Sequence, residues 1–271
     1  MTPEIKQFDM ASATDVGRVR AHNEDSMAAD PGIGLATLAD GMGGYNAGEV
    51  ASGIAVAMVP TEMRLLMDKQ ALKGLKDEDV EALITTQASK VNTAIYTAAQ
   101  DQAQYAGMGT TLVIAYWHGD RVTVGHLGDS RCYRLRGEEI KALTRDHSWI
   151  QEQIDAGLMT YEQARASKKK NLVTRACGID PNVVPEVHTH DVVAGDIYVL
   201  CSDGLYDMVP DEDIHLTVSS LKSNLPLAAQ QLLQQANDAG GRDNITVVLV
   251  HVLKVAHAPV GFFARLKNWF K

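Results

Sequence analysis

The chain has 271 residues, 45 % hydrophobic and 22 % charged, enough to bury a full core without disulfide or metal staples. Its 25 basic and 34 acidic residues leave a net charge of −9, which argues against nucleic-acid binding and suits cations better. Three widely spaced cysteines, Cys132, Cys177 and Cys201, form no CxxC pair and fit small core residues in a reducing, cytoplasmic setting. The N-terminus lacks a secretory apolar stretch, and no window approaches the ~20 apolar residues expected of a membrane span.

In chain order, Gly34–Ala39 reads as a buried strand that stops at Asp40-Gly41. Gly48–Met67 carries a helix or helix pair, with an interruption expected near Pro60. Asp79–Gln104 predicts one long helix, with Val80, Leu83, Ile84, Val91 and Ile95 at helical spacing. Thr110–Trp117 and Arg121–Leu127 predict a hairpin turning at His118-Gly119-Asp120; Arg131–Leu135 and Glu139–Leu143 predict a second. Two capping signatures, Ser148 with Gln151 and Thr160 with Gln163, predict a small helix–turn–helix flap within about 146–178, followed by Lys168, Lys169 and Lys170. Strands over Asp196–Cys201 and Asn244–Val252 flank a helix over Leu225–Ala239. Strands gathered in hairpins with a few long helices indicate an α+β fold of stacked sheets covered by helices.

Several chemistries lack their signatures. There is no GxxxxGK[ST] loop, HExxH or GxSxG, no cysteine followed six positions later by arginine, and no DxDx[TV] stretch. What remains is a set of aspartates beside glycine at strand ends: Asp40 before Gly41-Met42-Gly43-Gly44, Asp129 in Gly128-Asp129-Ser130-Arg131, Asp203 in Ser202-Asp203-Gly204, and Asp243 in Gly241-Arg242-Asp243-Asn244. Glu24 and Asp25 add two more acids. Each pair alone is a turn signal. Together they fit acids on rigid strand ends that would need cations if they converge, and all-oxygen donors favour Mg²⁺ or Mn²⁺ over zinc. Spacing does not by itself bring them together.

Seven blocks carry a resemblance: Gly17–Asp25, Asp40–Gly44, Gly109-Thr110-Thr111, Gly128–Arg131, Leu143–Ser148, Ser202–Leu205 and Gly241–Thr246. In this order the chain, over roughly 8–253, resembles the bacterial-type PPM/PP2C metal-dependent protein serine/threonine phosphatases. The resemblance implies a central antiparallel β-sandwich flanked by helices on both faces, with two Mn²⁺ or Mg²⁺ ions in a cleft at one end. It implies that Asp40 bridges them, that Gly41 offers its carbonyl to one, and that Asp203 and Asp243 bind the other. Glu24 and Asp25 would act through metal-held water, Asp129 with Asp203 would hold a third, weaker ion, and Arg20 would grip the substrate phosphate. Without that context Arg20 reads as a surface ion pair.

The implied activity is hydrolysis of phosphoserine and phosphothreonine on proteins, opposing a Ser/Thr kinase, in a monomer. Two alternatives share the scaffold: a non-catalytic phosphoprotein-binding module, and a dedicated phosphatase of a sigma-factor-type switch. Eukaryotic members place a general-acid histidine where this chain has Met42, and a thioether donates no proton. His147 offers a substitute by residue type only, and a structural role suits it better. The expected organisation is a phosphatase unit over 1–255 and a tail over 256–271. In the tail Phe262, Phe263, Leu266, Trp269 and Phe270 form an apolar stripe with Arg265, Lys267 and Lys271 off it, suited to its own domain, a membrane surface or a partner.

Overall fold

The computed structural model describes residues 6–255 except 45, 46, 73, 161, 162 and 164–171. Lys168–Lys170 and the apolar stripe of the tail lie outside the described residues. In chain order the elements are β1 (Phe8–Asp15), β2 (Asp25–Asp30), β3 (Leu35–Met42), α1 (Ala47–Asp68), α2 (Asp77–Asp101), β4 (Gly109–Thr110), β5 (Leu112–His118), β6 (Arg121–Leu127), β7 (Arg131–Arg136), β8 (Glu139–Ala142) and α3 (Trp149–Asp155). They continue as β9 (Glu186–Asp191), β10 (Ile197–Cys201), the single turn α4 (Asp203–Tyr206), α5 (Asp211–Ser220), α6 (Leu225–Asp238) and β11 (Ile245–Val252).

Two antiparallel sheets stack face to face, one ordered β1-β11-β10-β7-β8 and the other β2-β3-β5-β6-β9, with β4 paired to the end of β3. Strand alternation sorts side chains into separate cores. In β11, Val248 and Val250 face the other sheet and pack with Leu38, Val113, Trp117 and Tyr198. Val247 and Leu249 point outward, against α5 and α6. The outer face of the second sheet buries Leu35, Leu112 and Ile114 under α1 and α2. The result is the expected helix–sheet–sheet–helix layering.

Three expectations change. First, β3 does not stop at Asp40: it continues to Met42, because Gly41 and Met42 pair with Thr110 and Gly109 of β4. Second, α1 is one helix with Pro60 inside it. Proline removes one backbone donor, but Ala51, Ala55, Val59 and Met63, spaced four apart, bury a continuous stripe across the gap. Against the expectation that no window would approach a membrane span, α1 is by length and composition apolar enough to cross one; in the fold its buried stripe packs over β3. Third, β1, β2, β9 and α5 were not foreseen. DSMAAD and EVHTHD are polar strands at sheet edges, where one missing neighbour relaxes the demand for apolar residues.

The three cysteines are buried and unpaired, and burial pushes the thiols of Cys132 and Cys177 up to about 12. The flap starts as anticipated. Ser148 Oγ accepts from the Gln151 amide and caps α3, which ends at Gly157 in the left-handed region (φ +69°). Thr160 and Gln163 form the second reciprocal cap.

One ionic clamp joins the two sheets at the end of β7. Arg136 donates from Nε and Nη2 to the fully buried Asp196 carboxylate, both at 2.7 Å, and from Nη1 to Asp191 of β9 at 2.8 Å. Arg136→Ala should therefore strand a buried carboxylate and cost about 2–3 kcal/mol, allowing for partial exposure of the arginine. A thermal melt should read this as a fall of roughly 5–10 °C.

Candidate metal and phosphate site

Each acid reaches one end of the sandwich on a short element with little freedom. Asp40 lies near the end of β3, directly opposite Asp25 at the start of β2. Asp129 follows β6, Asp203 opens α4 after β10, and Asp243 precedes β11. A cleft of about 190 Å³ there is lined by Arg20, Glu24, Asp40, Gly41, Asp129, Asp203 and Asp243, together with Met42, Thr111, Val173 and Asn244. Asp25 stands behind it, buried, rather than on its wall.

The loop between β1 and β2 carries Arg20 and Glu24, and it is tied down by the segment before β11. Asn244 Nδ2 donates to the carbonyls of Val16 (3.0 Å) and His22 (2.9 Å), and its Oδ1 accepts the Glu24 amide at 2.9 Å. The Arg18 amide donates to Gly241 O at 2.7 Å. Asp40 is held through its backbone: its amide donates to Thr111 Oγ1 at 2.9 Å, and its carbonyl accepts the Thr111 amide at 2.8 Å. Gly41 is required by crowding, since a Cβ there would lie 2.1 Å from Gly48 O and 2.6 Å from Glu24 O.

Thr111, Ser202 and Asn244 thus support the site, although none stood out as a candidate. Their residue types and blocks were visible in the sequence; their partners, remote in the chain, were not. Ser202 Oγ donates to Asp25 Oδ2 at 2.7 Å and joins β2 to the start of α4.

Among the described residues lining the cleft, Arg20 is the sole cation. Its Nη2 donates to Asp243 Oδ2 at 2.7 Å while half the side chain stays exposed. Arg20 is thus a surface ion pair at the rim of the cleft that it also lines. The acids are under strong mutual repulsion. Burial, then Asp25 and Asp203, hold the Asp40 carboxyl well above the usual range, and burial, then Asp129 and Asp243, do the same to Asp203. Burial above all pushes Asp25 up to about 6; burial followed by Asp146 pushes Asp129 up to about 7. Oδ1 of Asp25 and Oδ1 of Asp203 are buried without a hydrogen-bond partner. Crowded hard oxygen donors, unsatisfied and short of positive charge, fit divalent cations of the Mg²⁺ or Mn²⁺ kind. Met42 lines the cleft beside them, whereas His147 is buried elsewhere and does not.

Comparison with known proteins gives a consistent result. A family profile described as Protein phosphatase 2C matches residues 17–244. The chain is 37 % identical over 242 residues to the serine/threonine phosphatase stp of Listeria welshimeri, covering 88 % of this chain and 93 % of that one. The crystal structure of the Mycobacterium tuberculosis serine/threonine phosphatase PstP/Ppp superposes with a TM-score of 0.81 at 36 % identity, over 90 % of this chain and 98 % of the other. The catalytic domain of PstP in complex with two manganese ions superposes with a TM-score of 0.79 at 36 % identity, over 91 % and 99 %.

The raised carboxyls set a sign for pH dependence. Without metal, the folded state binds protons at Asp25 and Asp129 more tightly than the unfolded chain, whose aspartates titrate near ~4. Their contribution to stability is thus complete below about pH 4 and is lost as the pH rises through about 6 and 7. The melting temperature of chelator-treated protein should fall between about pH 5 and pH 8, and added Mn²⁺ should restore it. A metal-free melting temperature that climbs over this interval would refute the raised carboxyls of Asp25 and Asp129.

Proposed function

The chain belongs to the protein phosphatase 2C family, and from that premise we propose that it hydrolyses phosphoserine and phosphothreonine on proteins with two Mn²⁺ or Mg²⁺ ions held in the acidic cleft. The observation that carries this is the convergence of Asp40, Asp203 and Asp243 on one cleft, with a buried Asp203 oxygen left without a partner. Asp40, the Gly41 carbonyl, Asp203 and Asp243 would hold the two ions. Glu24 and Asp25 would hold the surrounding water, and Asp129 with Asp203 would hold a third, weaker ion. When bound, such cations lower the pKa of water towards neutrality and offset charge on phosphoryl oxygens.

The chain's own residues supply placement. Arg20 has the planar fork that matches two phosphate oxygens, and its partner Asp243 keeps it beside the cleft until a phosphate takes its place. Hydrolysis forms a bond from water oxygen to phosphorus and breaks phosphorus to the serine or threonine oxygen, which takes up a proton. Met42 has none to give, and His147 does not line the cleft, so the protein side chains at these two positions do not act as that acid.

The catalytic unit is read as 1–255 with a flap at 146–178, and the tail at 256–271 as a contact for its own domain, a membrane surface or a partner. Phosphorylated proteins are the substrates, an opposing Ser/Thr kinase among them; the unit is read as a monomer, and the buried free thiols suit a reducing, cytoplasmic setting. A purely phosphoprotein-binding module would not need this set of acids intact.

Activity on an aryl phosphate and a phosphothreonine peptide should require Mn²⁺ and vanish in chelator. Asp40→Asn should lower kcat/KM by about three orders of magnitude, close to 4 kcal/mol; robust turnover in that variant would overturn the assignment. Arg20→Ala should bind metal normally yet lose roughly tenfold or more in kcat/KM, since a charge-assisted hydrogen bond contributes about 1.5–3 kcal/mol. Unchanged phosphopeptide kinetics would leave Arg20 a surface ion pair only.

A further inference from the structure

The turn that delivers Asp129 to the cleft is bonded on both sides to one residue outside it. Gly128 has φ +100°, and a Cβ there would lie 2.6 Å from the Thr111 side chain, so the turn is set by close packing. Its amide donates to His147 Nδ1 at 3.2 Å, and its carbonyl accepts the His147 amide at 2.9 Å. The imidazole is locked by stacking on His126, with ring centroids 4.6 Å apart and planes 14° apart. His126 is itself anchored, its Nε2 donating to the Arg145 carbonyl at 2.8 Å. The His147 carbonyl accepts the amide of Thr174, next to Val173, which lines the cleft where the chain returns from the flap.

The ligand atoms of His126, His147 and Glu186 lie within 4.8 Å of one another, a spacing that would suit a metal. The tautomer argues otherwise. A backbone amide can only donate, so Nδ1 of His147 keeps its lone pair for Gly128 and the ring proton sits on Nε2, 3.6 Å from Glu186 Oε2. A neutral His147 then has no lone pair left to coordinate. Burial, then His126 and Arg175, push its pKa down to about 4, so the neutral form prevails at pH 7.

We propose that His147 is a positioning residue: by clasping Gly128 through both its ring and its backbone, it sets where the Asp129 carboxylate stands in the cleft and ties that position to the chain returning from the flap. The proposal rests on the metal-binding reading of Asp129 given above. It departs from a general-acid role, since the ring acts on the turn and not on the substrate.

Two variants separate placement from packing. His147→Asn keeps an acceptor, Oδ1, near the place of Nδ1, whereas His147→Phe keeps a stacking ring and loses the acceptor. The Mn²⁺ concentration for half-maximal activity should rise about tenfold in His147→Phe and return to within about threefold of the parent in His147→Asn, as expected for one buried hydrogen bond lost and regained. Parent behaviour in His147→Phe, or no rescue by His147→Asn, overturns the proposal. Nitrogen-15 spectra of the unaltered protein provide a readout that does not depend on the variants folding. They should show an unprotonated Nδ1 and a protonated Nε2 at pH 7, and the reverse tautomer overturns the proposal. Asp129→Asn, measured alongside, distinguishes failure of the metal reading. If it leaves the Mn²⁺ dependence unchanged, Asp129 is not a metal residue, and the latch is judged on the Gly128 amide alone. Exchange of that amide must quicken in His147→Phe and slow again in His147→Asn, and equal protection in both overturns the latch.

Discussion

Mutual repulsion among Glu24, Asp25, Asp40, Asp129, Asp203 and Asp243 is the constraint to which the rest of the molecule answers. At an effective dielectric of about 20, two carboxylates some 5 Å apart repel by about 3 kcal/mol, and several such pairs would pry flexible loops apart. Here Asp25 and Asp40 sit on strands, Asp203 opens a one-turn helix, Asp129 and Asp243 flank strands, and Glu24 sits on a loop held by Asn244. The core cannot relax, so burial first and the neighbouring carboxylates second hold Asp40 and Asp203 well above the usual range, and the site demands cations.

The layered core explains why one end of the sandwich can tolerate this. Val248 and Val250 of β11 pack against Leu38 and Val113 across the interface, while Val247 and Leu249 pack under the outer helices. β11 is therefore fixed on both faces, and Asp243 just before it inherits that fixity. The Arg136 clamp on Asp191 and Asp196 adds a polar tie between the sheets.

Polar side chains without charge complete the frame. Asn244 holds the loop bearing Arg20 and Glu24, Thr111 holds Asp40 by its backbone, and Ser202 meets Asp25. Each satisfies groups that would otherwise be buried unpaired. His147 belongs to the same class: a titratable residue used for its lone pair and kept neutral by burial. Arg131 plays a comparable part on the neighbouring strand, where it grips Asp146 through two parallel bonds and lies over the Tyr206 ring.

Sequence alone determined the two-hairpin pattern, the long helix α2, the caps of the flap and the aspartates beside glycine, because turn chemistry, periodicity and capping act over a few residues. The layered fold was also legible, through seven short blocks in order. The edge strands β2 and β9 were not, since strands with a missing neighbour need no apolar signature. Nor was the unbroken course of α1 through Pro60, where packing against β3 outweighs a local propensity. Only the tertiary structure decided that the acids share a cleft, that Asp25 stands behind it, and that Arg20 rests on Asp243. Those relations join residues up to 223 positions apart. Short-range sequence patterns do not encode such distances; they are set by how the two sheets stack and where their strands end.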